Sequence, residues 1–194
     1  MSAKQELRLA LLSRRRALSA GRRATADTRV ESHVHELVRR RRPRRVTAYV
    51  PVGSEPGGAL PRVIEAALGG GGELLLPVLL PDLDLDWAVY RGPESLVAAG
   101  RGLREPTGPR LGPAAVGAAD LVVVPALAVD RRGVRLGRGG GSYDRALARV
   151  DPAALVVALL HDGELIDRVP AQPHDRTVTA VITPTAGLCV LPAE

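Results

Sequence analysis

The sequence is poor in aromatic residues and cysteine, and it contains no phenylalanine or asparagine. Aromatic side chains make up 2% of the 194 positions, so the chain lacks the stacking surface that binds single-stranded nucleic acids. The single cysteine, Cys189, excludes an internal disulfide and a cysteine-rich metal site. No apolar run is long enough to span a bilayer, and the first residues do not have the pattern of a signal peptide. We therefore expect a cytoplasmic protein without a membrane partner.

Lysine is also nearly absent, because Lys4 is the only lysine among the 27 lysine and arginine residues. The missing residue types indicate the mutational bias of a GC-rich genome, which replaces lysine by arginine wherever arginine is tolerated. A lysine that persists has two explanations, a function that arginine cannot perform or chance near the start of the chain. An ammonium is a compact point charge that fits against phosphate where a broad guanidinium does not. Both explanations stay open on this argument alone.

The formal net charge of +6 favours an anionic partner. A basic run covers residues 39–42 and continues in Arg44 and Arg45, which raises the alternative of nucleic-acid binding. The run lies at the end of a predicted helix, where the helix dipole favours cations. We expect a solvated helix end, no nucleic-acid partner and small anionic substrates.

Length and composition predict one domain over residues 1–194, with 45% hydrophobic and 25% charged residues. Apolar spacing predicts helices over residues 3–18, from an N-cap at residue 19 to about residue 42, and over residues 60–68 and 143–149. Apolar runs predict strands over residues 46–51, 73–78, 87–90, 121–124, 155–159 and 178–182. The alternation indicates an α/β fold with a mostly parallel sheet covered on both faces. The loops after residues 50, 124 and 160 should meet at one edge, where such sheets bind ligands.

The most informative segment is residues 120–145, DLVVVPALAVDRRGVRLGRGGGSYDR. A buried strand ends at Pro125, and four glycines between positions 137 and 141 then lead into a helix. In this layout, backbone N–H groups and the helix N-terminus can hold phosphate. Arg135 and Arg138 add positive charge, and Asp144 offers a hard oxygen ligand for Mg²⁺ if the ligand is a nucleotide. The segment matches neither a Walker loop nor a dinucleotide fingerprint, and a tight connection without a ligand is the alternative.

These residues resemble the 5-formyltetrahydrofolate cyclo-ligase family, also called 5,10-methenyltetrahydrofolate synthetases. The similarity extends over nearly the whole chain and is most specific in VPALAVDRRGVRLGRGGGSYDR. It implies a single three-layer α/β domain of the ribose-5-phosphate isomerase/CoA transferase-like type. The sequence does not give the oligomeric state, and we favour a monomer. It also implies conversion of 5-formyltetrahydrofolate to 5,10-methenyltetrahydrofolate, with ATP as co-substrate, Mg²⁺ as cofactor, and ADP and phosphate released.

The resemblance assigns roles to individual positions. The implied catalytic residues are Lys4 and Arg138, and the implied metal ligands are Asp144 and Asp175. The implied ATP-binding residues are Lys4, Arg8, Arg135, Leu136, Gly137, Arg138, Gly139, Gly140, Gly141, Ser142 and Tyr143. The implied substrate-binding residues are Val50, Glu55, Arg138, Gly139, Gly140, Gly141 and Ser142.

Several positions depart from the family pattern. Ser142 stands where many members have an aromatic residue, Gly57 and Gly58 replace an acidic residue and its neighbour, and Thr179 replaces an aspartate. These departures bear on folate affinity more than on reaction type. Two alternatives remain: a sugar-phosphate isomerase or CoA transferase-like enzyme with Glu55 as base or nucleophile, and a catalytically weakened protein that binds folate or nucleotide.

Overall fold

Helices and strands alternate along the chain, and the computed structural model describes residues 2–173 and 175–192. The helices are α1 (Ala3–Ala17), α2 (Ala20–Arg41), α3 (Leu60–Leu68) and α4 (Ser142–Leu147). The strands are β1 (Arg45–Thr47), β2 (Glu73–Leu79), β3 (Leu85–Val89), β4 (Leu96–Ala98), β5 (Arg104–Pro106), β6 (Leu121–Pro125), β7 (Ala128–Asp130), β8 (Arg135–Leu136), β9 (Leu155–Leu159), β10 (Leu165–Ile166), β11 (Ala180–Thr183) and β12 (Gly187–Val190). Within these described residues, no helix has the length and hydropathy needed to cross a membrane.

A seven-stranded sheet lies at the centre, in the order β12-β11-β9-β6-β1-β2-β3. The inner strands from β11 to β2 run parallel, and the two edge strands pair antiparallel with them. The prediction of a mostly parallel sheet is therefore confirmed. In β6, Val123 packs into the core on one face while Val122 and Val124 pack into the core on the other. Burial on both faces explains why this strand contains no polar residue.

Helices cover both faces of the sheet and complete three layers. α2 and α3 pack on one face, and the side chain of Ser19 accepts a hydrogen bond from the N–H of Arg22 to begin α2. The predicted apolar face of α2 is confirmed by the burial of Val30, Val34, Leu37 and Val38. α4 and the short 3-10 helix Pro113–Ala118 pack on the other face.

α1 packs on a second, three-stranded sheet in the order β10-β7-β8. Leu11 of α1 joins Leu127 and Leu136 in a small apolar cluster at this contact. A capping box between Ser2 and Gln5 begins the helix. The first turn of α1 is therefore held beside the glycine-rich segment that follows β8.

The structure also contains short strands that the sequence did not predict. The predicted strand over residues 46–51 ends at Thr47, although the N–H of Ala48 still donates to the carbonyl of Leu75 over 3.1 Å. The small sheet, the β4–β5 hairpin and β12 were all missed. Each of these strands has two to four residues, which is too few for an apolar period to appear.

Asp130 is a fully buried carboxylate that joins two parts of the small sheet. It accepts hydrogen bonds from the backbone N–H groups of Arg132, Val134 and Val169 at 3.0–3.1 Å. Burial acts to raise the pKa of Asp130, but these hydrogen bonds and the Arg132 guanidinium outweigh it and hold the pKa below its ordinary value. The ionised carboxylate therefore stabilises the folded chain at neutral pH.

We expect Asp130→Asn to lower the free energy of unfolding by about 2 kcal/mol at pH 7, because an amide cannot accept all of these bonds. The loss is measured by urea denaturation. The folded-state pKa of Asp130 is depressed. The difference in unfolding free energy between variant and parent should therefore shrink as the pH falls below about 4 and through this pKa. Asp167→Asn, at a fully exposed side chain, is the control. Equal stability of the two variants would contradict this role.

Candidate functional site

A cavity of about 480 Å³ opens beside the carboxyl ends of β1 and β6, and we call it the main cavity. The loops after both strands line it, through Val50 and Pro125 among others. The loop after β9 lies behind the first of these loops, where His161 Nε2 is 3.0 Å from the carbonyl oxygen of Ser54. The three loops predicted to meet at one edge of the sheet therefore do so.

The structure brings nearly all of the predicted site residues into the wall of the main cavity. The ones that line it are Lys4, Arg8, Val50, Glu55, Arg135, Gly137, Arg138, Gly139, Gly140, Gly141, Ser142, Tyr143, Asp144 and Asp175. Leu136 is the exception, because its side chain is fully buried in the apolar cluster under α1. The wall of the cavity thus joins residues that are far apart in the sequence.

Lys4 lies in the first turn of α1 and reaches the far end of the chain. Its Nζ is 2.8 Å and 2.6 Å from the two carboxylate oxygens of Asp175, and only 12% and 8% of the two side chains are exposed. One turn later, Arg8 Nε donates to the carbonyl of Gly137 over 2.9 Å. α1 therefore packs its basic side chains directly against the glycine-rich loop.

The conformation of the loop requires glycine where it approaches Arg8. Gly139 has a φ of +104°, and a side chain there would also contact the Arg8 guanidinium. Gly141 has a φ of +71° and precedes the first residue of α4. The bare backbone leaves room beside Arg8 that a side chain would fill.

Arg135 and Asp144 form a buried ion pair under the loop. Arg135 Nη2 is 2.9 Å from Asp144 Oδ1, and the Arg135 side chain is 4% exposed. The Arg135 guanidinium also lies 5.9 Å from the centre of the Tyr143 ring. Burial, with Glu55 nearby, raises the pKa of the Tyr143 hydroxyl far above its ordinary value, so this tyrosine stays neutral.

Glu55 lies on the opposite wall, in the loop after β1. Its Oε1 is 3.1 Å from Arg138 Nε, and its Oε2 accepts a hydrogen bond from the N–H of Val52 over 2.9 Å. Burial raises the pKa of Glu55 above its ordinary value, and the two donors only partly oppose it. Arg138 therefore connects the glycine-rich loop to the loop that carries Glu55.

Three ion pairs join basic and acidic side chains of the main cavity: Lys4–Asp175, Arg135–Asp144 and Arg138–Glu55. Among the described residues, no group of three or more histidine, cysteine or acidic side chains could hold a metal ion unaided. Two carboxylates in one cavity still fit Mg²⁺, which commonly binds one or two carboxylates together with substrate phosphates. Both hydrogen bonds to Asp144 from described residues reach the same oxygen, Oδ1, so its second oxygen suits such a ligand.

Comparison with known proteins identifies the family of the chain. A model of the 5-formyltetrahydrofolate cyclo-ligase family matches residues 1–184. The chain belongs to this family. A 5-formyltetrahydrofolate cyclo-ligase of Mycolicibacterium smegmatis is 45% identical over 97% of both chains. The chain is accordingly a ligase of one-carbon folate metabolism.

Solved structures agree with the fold of a cyclo-ligase. The 5,10-methenyltetrahydrofolate synthetase of Aquifex aeolicus superposes with a TM-score of 0.78 at 27% identity, covering 100% of this chain and 95% of that one. The Mycoplasma pneumoniae 5,10-methenyltetrahydrofolate synthetase gives a TM-score of 0.72 at 16% identity, with 93% and 98% covered. The single α/β domain of this cyclo-ligase is thus the fold of its relatives.

The structure also adds cavity residues of the cyclo-ligase that the sequence did not indicate. The β4–β5 hairpin contributes Arg101, Leu103, Arg104 and Glu105 to the wall. The sequence suggested only a loop here, because the strands are short and rich in neighbouring glycine and proline. Arg15 of α1 lines the cavity as well. The sequence did not indicate this, because Arg15 lies among other arginines on a polar stretch of the helix.

The departures from the family pattern lie outside the cavity wall, apart from Ser142. The N–H of Gly57 donates to Asp27 Oδ1 over 2.8 Å, so α2 supplies a carboxylate beside this part of the loop. Thr179 lies at the sheet, where its hydroxyl donates to the carbonyl of Val156 over 3.1 Å. A change at Thr179 therefore acts on the sheet and not directly on the main cavity.

Proposed function

We propose that this cyclo-ligase converts 5-formyltetrahydrofolate to 5,10-methenyltetrahydrofolate while ATP becomes ADP and phosphate. The observation that carries the proposal is the packing of α1 against the glycine-rich loop, which brings Lys4 and Arg8 beside Arg135 and Arg138. Four basic side chains and bare backbone at one cavity suit a triphosphate. Glu55 on the facing wall suits the polar ring atoms of the folate.

The chemical problem is an amide-like formyl carbon that resists attack. Transfer of the γ-phosphoryl group to the formyl oxygen turns that oxygen into a good leaving group. The neighbouring nitrogen of the same substrate then forms the new C–N bond and releases its proton to solvent, and the C–O bond breaks as phosphate departs. Because the substrate supplies the nucleophile, the protein needs no Ser–His or Cys–His pair, and positioning and charge neutralisation carry the catalysis.

We assign Lys4 and Arg138 to the transferring phosphoryl group and Arg8 and Arg135 to the other phosphates. When the triphosphate binds, its oxygens replace the carboxylates that Lys4, Arg135 and Arg138 hold in the free protein. Asp144 and Asp175 would then hold Mg²⁺, which would neutralise phosphate charge. Asp144 and Asp175 thus keep Arg135 and Lys4 oriented before ATP arrives and would take the metal afterwards.

Substrate assays with single omissions test the proposed function. The protein is incubated with 5-formyltetrahydrofolate, ATP and Mg²⁺, and the absorbance of the methenyl product is followed. We expect product only in the complete mixture. Product without any nucleotide would overturn the proposal in favour of an isomerase or CoA transferase-like reaction. Binding of folate without product would instead indicate a catalytically weakened binding protein.

The ionisation of Glu55 should set the pH dependence of folate binding. Because its pKa is raised, Glu55 gains a proton at a higher pH than an ordinary glutamate as the pH falls. We therefore expect the KM for 5-formyltetrahydrofolate to rise as the pH falls, beginning at a higher pH than an ordinary glutamate would give, with kcat changing less. Glu55→Gln should raise the KM at every pH and remove this slope. Glu65→Gln, on the exposed side of α3, is the control, and an unchanged slope in Glu55→Gln would contradict the assignment.

We also propose that the protein acts in the cytoplasm as a monomer on small molecules, without a nucleic-acid partner. The low aromatic content and the position of the basic run at the end of α2 support the absence of a nucleic-acid partner. Chromatography on heparin tests the last part. Retention that falls steeply with salt would contradict it.

A further inference from the structure

A second cavity, of about 410 Å³, lies between the end of α1 and the first turns of α2. We propose that it binds a small molecule with at least two negative charges, carried by phosphate or carboxylate groups. The residues that carry the argument are Arg14, Arg15, Arg22, Arg29, Asp162 and Glu164, all in its wall. Only Arg15 is shared with the main cavity, so the proposal goes beyond the cyclo-ligase reaction and does not depend on it.

Positive charge exceeds negative charge in the wall of the second cavity, where four arginines face only Asp162 and Glu164. Three of its arginines, Arg14, Arg22 and Arg29, are exposed and form no ion pair or hydrogen bond through their side chains with the rest of the described chain. The acidic residues of the wall already have partners. Asp162 accepts hydrogen bonds from the N–H and the hydroxyl of Thr185, at 3.1 Å and 2.8 Å. The arginines are therefore available to an external anion.

Arg15 adds an unpartnered donor that is inaccessible to bulk water. Its side chain is 1% exposed, and it binds Glu164 through Nε and Nη2 at 2.7 Å each. Nη2 also donates to the carbonyl of Ala126 over 2.6 Å. Nη1 is buried without a partner among the described residues, which is costly for a charged donor. Arg15 is in the wall of both cavities, and an oxyanion in the second one is the acceptor that the proposal assigns to Nη1.

The electrostatics of α2 also favour a bound anion in the second cavity. The N-terminus of a helix is the positive end of its dipole and favours acidic side chains. The first turn of α2 contains no acidic residue and instead carries Arg22, while Gly21 lines the second cavity. Arg14 has a separate explanation, because the last turn of α1 favours cations. The helix dipole does not explain Arg22, because a positive charge is unfavourable at the N-terminus of a helix. A bound anion would make this charge favourable.

Calorimetric titration of the full chain with inorganic pyrophosphate, and separately with citrate, tests the proposal. The test variant combines Arg14→Gln, Arg22→Gln and Arg29→Gln. The control combines Arg16→Gln, Arg39→Gln and Arg41→Gln, which remove the same charge from exposed positions on the same two helices. The main cavity is identical in both, so anion binding there cancels from the comparison.

We expect the control to bind at least one of the two anions as the parent protein does. The test variant should lose one binding event for that anion, or show it about tenfold weaker, while any binding in the main cavity is kept. Loss of pyrophosphate binding alone would identify a phosphate ligand, and loss of citrate binding alone a carboxylate ligand. Equal binding by the two variants, or no binding by the parent, would overturn the proposal.

Gly21→Glu gives an independent test in case the triple variant does not fold. A Cβ at Gly21 meets no atom within 4 Å, and a glutamate there suits the positive end of α2. The new carboxylate would occupy the second cavity, so we expect anion binding in that cavity to be lost while thermal stability is kept or raised. Unchanged anion binding in this variant would also overturn the proposal. Turnover of the formyl substrate reports separately on the cyclo-ligase reaction.

Discussion

Lys4→Met is expected to lower kcat by about a hundredfold or more, and Lys4→Arg by about tenfold or more. The ammonium of Lys4 is nearly enclosed and already oriented by both oxygens of Asp175. A methionine removes the positive charge that we propose acts on the transferring phosphoryl group. An arginine keeps the charge but is too broad for the same position. Each factor of ten corresponds to about 1.4 kcal/mol of barrier.

Steady-state kinetics with varied ATP measures both Lys4 variants. Arg16→Met, at an exposed position of the same helix, is the control and should keep normal turnover. Urea denaturation of the same samples separates loss of chemistry from loss of fold, since Lys4→Met also breaks the pair with Asp175. Unchanged turnover and ATP dependence in Lys4→Arg would show that the only lysine of the chain has no catalytic role.

Arg15→Met is expected to lower the free energy of unfolding by about 3–5 kcal/mol, because it leaves a buried carboxylate without its cation. Glu164 is 6% exposed in its side chain and meets Arg15 at two atoms, 2.7 Å each. Glu164 also accepts from the N–H of His161. The pair connects α1, which carries Lys4, to the loop after β9, so activity should fall with stability.

Chemical denaturation at pH 7 measures the loss. The double variant Arg15→Met with Glu164→Met should recover most of it, since no buried charge then remains unpaired. Arg40→Met, which breaks an exposed pair with Glu36, should cost less than about 1 kcal/mol. A loss in Arg15→Met no larger than in Arg40→Met would contradict the structural role of the buried pair.

Local sequence patterns predicted those parts of the fold that are long or fully buried. The bounds of α3 and β9 agree with the prediction, and the buried face of α2 consists of the expected residues. The small sheet under α1 could not be predicted, since β8 and β10 have two residues each. Their pairing depends on contacts with distant segments, which a local pattern does not contain.

The glycine-rich loop was predictable as a place for phosphate because strand, glycines and helix are adjacent in the sequence. The contact between Lys4 and Asp175 was not, because 171 positions separate the two residues. Without the structure, only the resemblance to a family assigned both residues to the same site. Arg15 gave no signal, because an arginine between Arg14 and Arg16 does not differ in sequence from its exposed neighbours.

Transfer of the formyl oxygen to phosphate tests the central claim most directly. The formyl group of 5-formyltetrahydrofolate is labelled with a heavy oxygen isotope, and the phosphate released with ADP is analysed by mass spectrometry. If the γ-phosphoryl group activates the formyl oxygen, each turnover places one heavy oxygen in the released phosphate. Phosphate without the label, formed together with the methenyl product, would contradict the account.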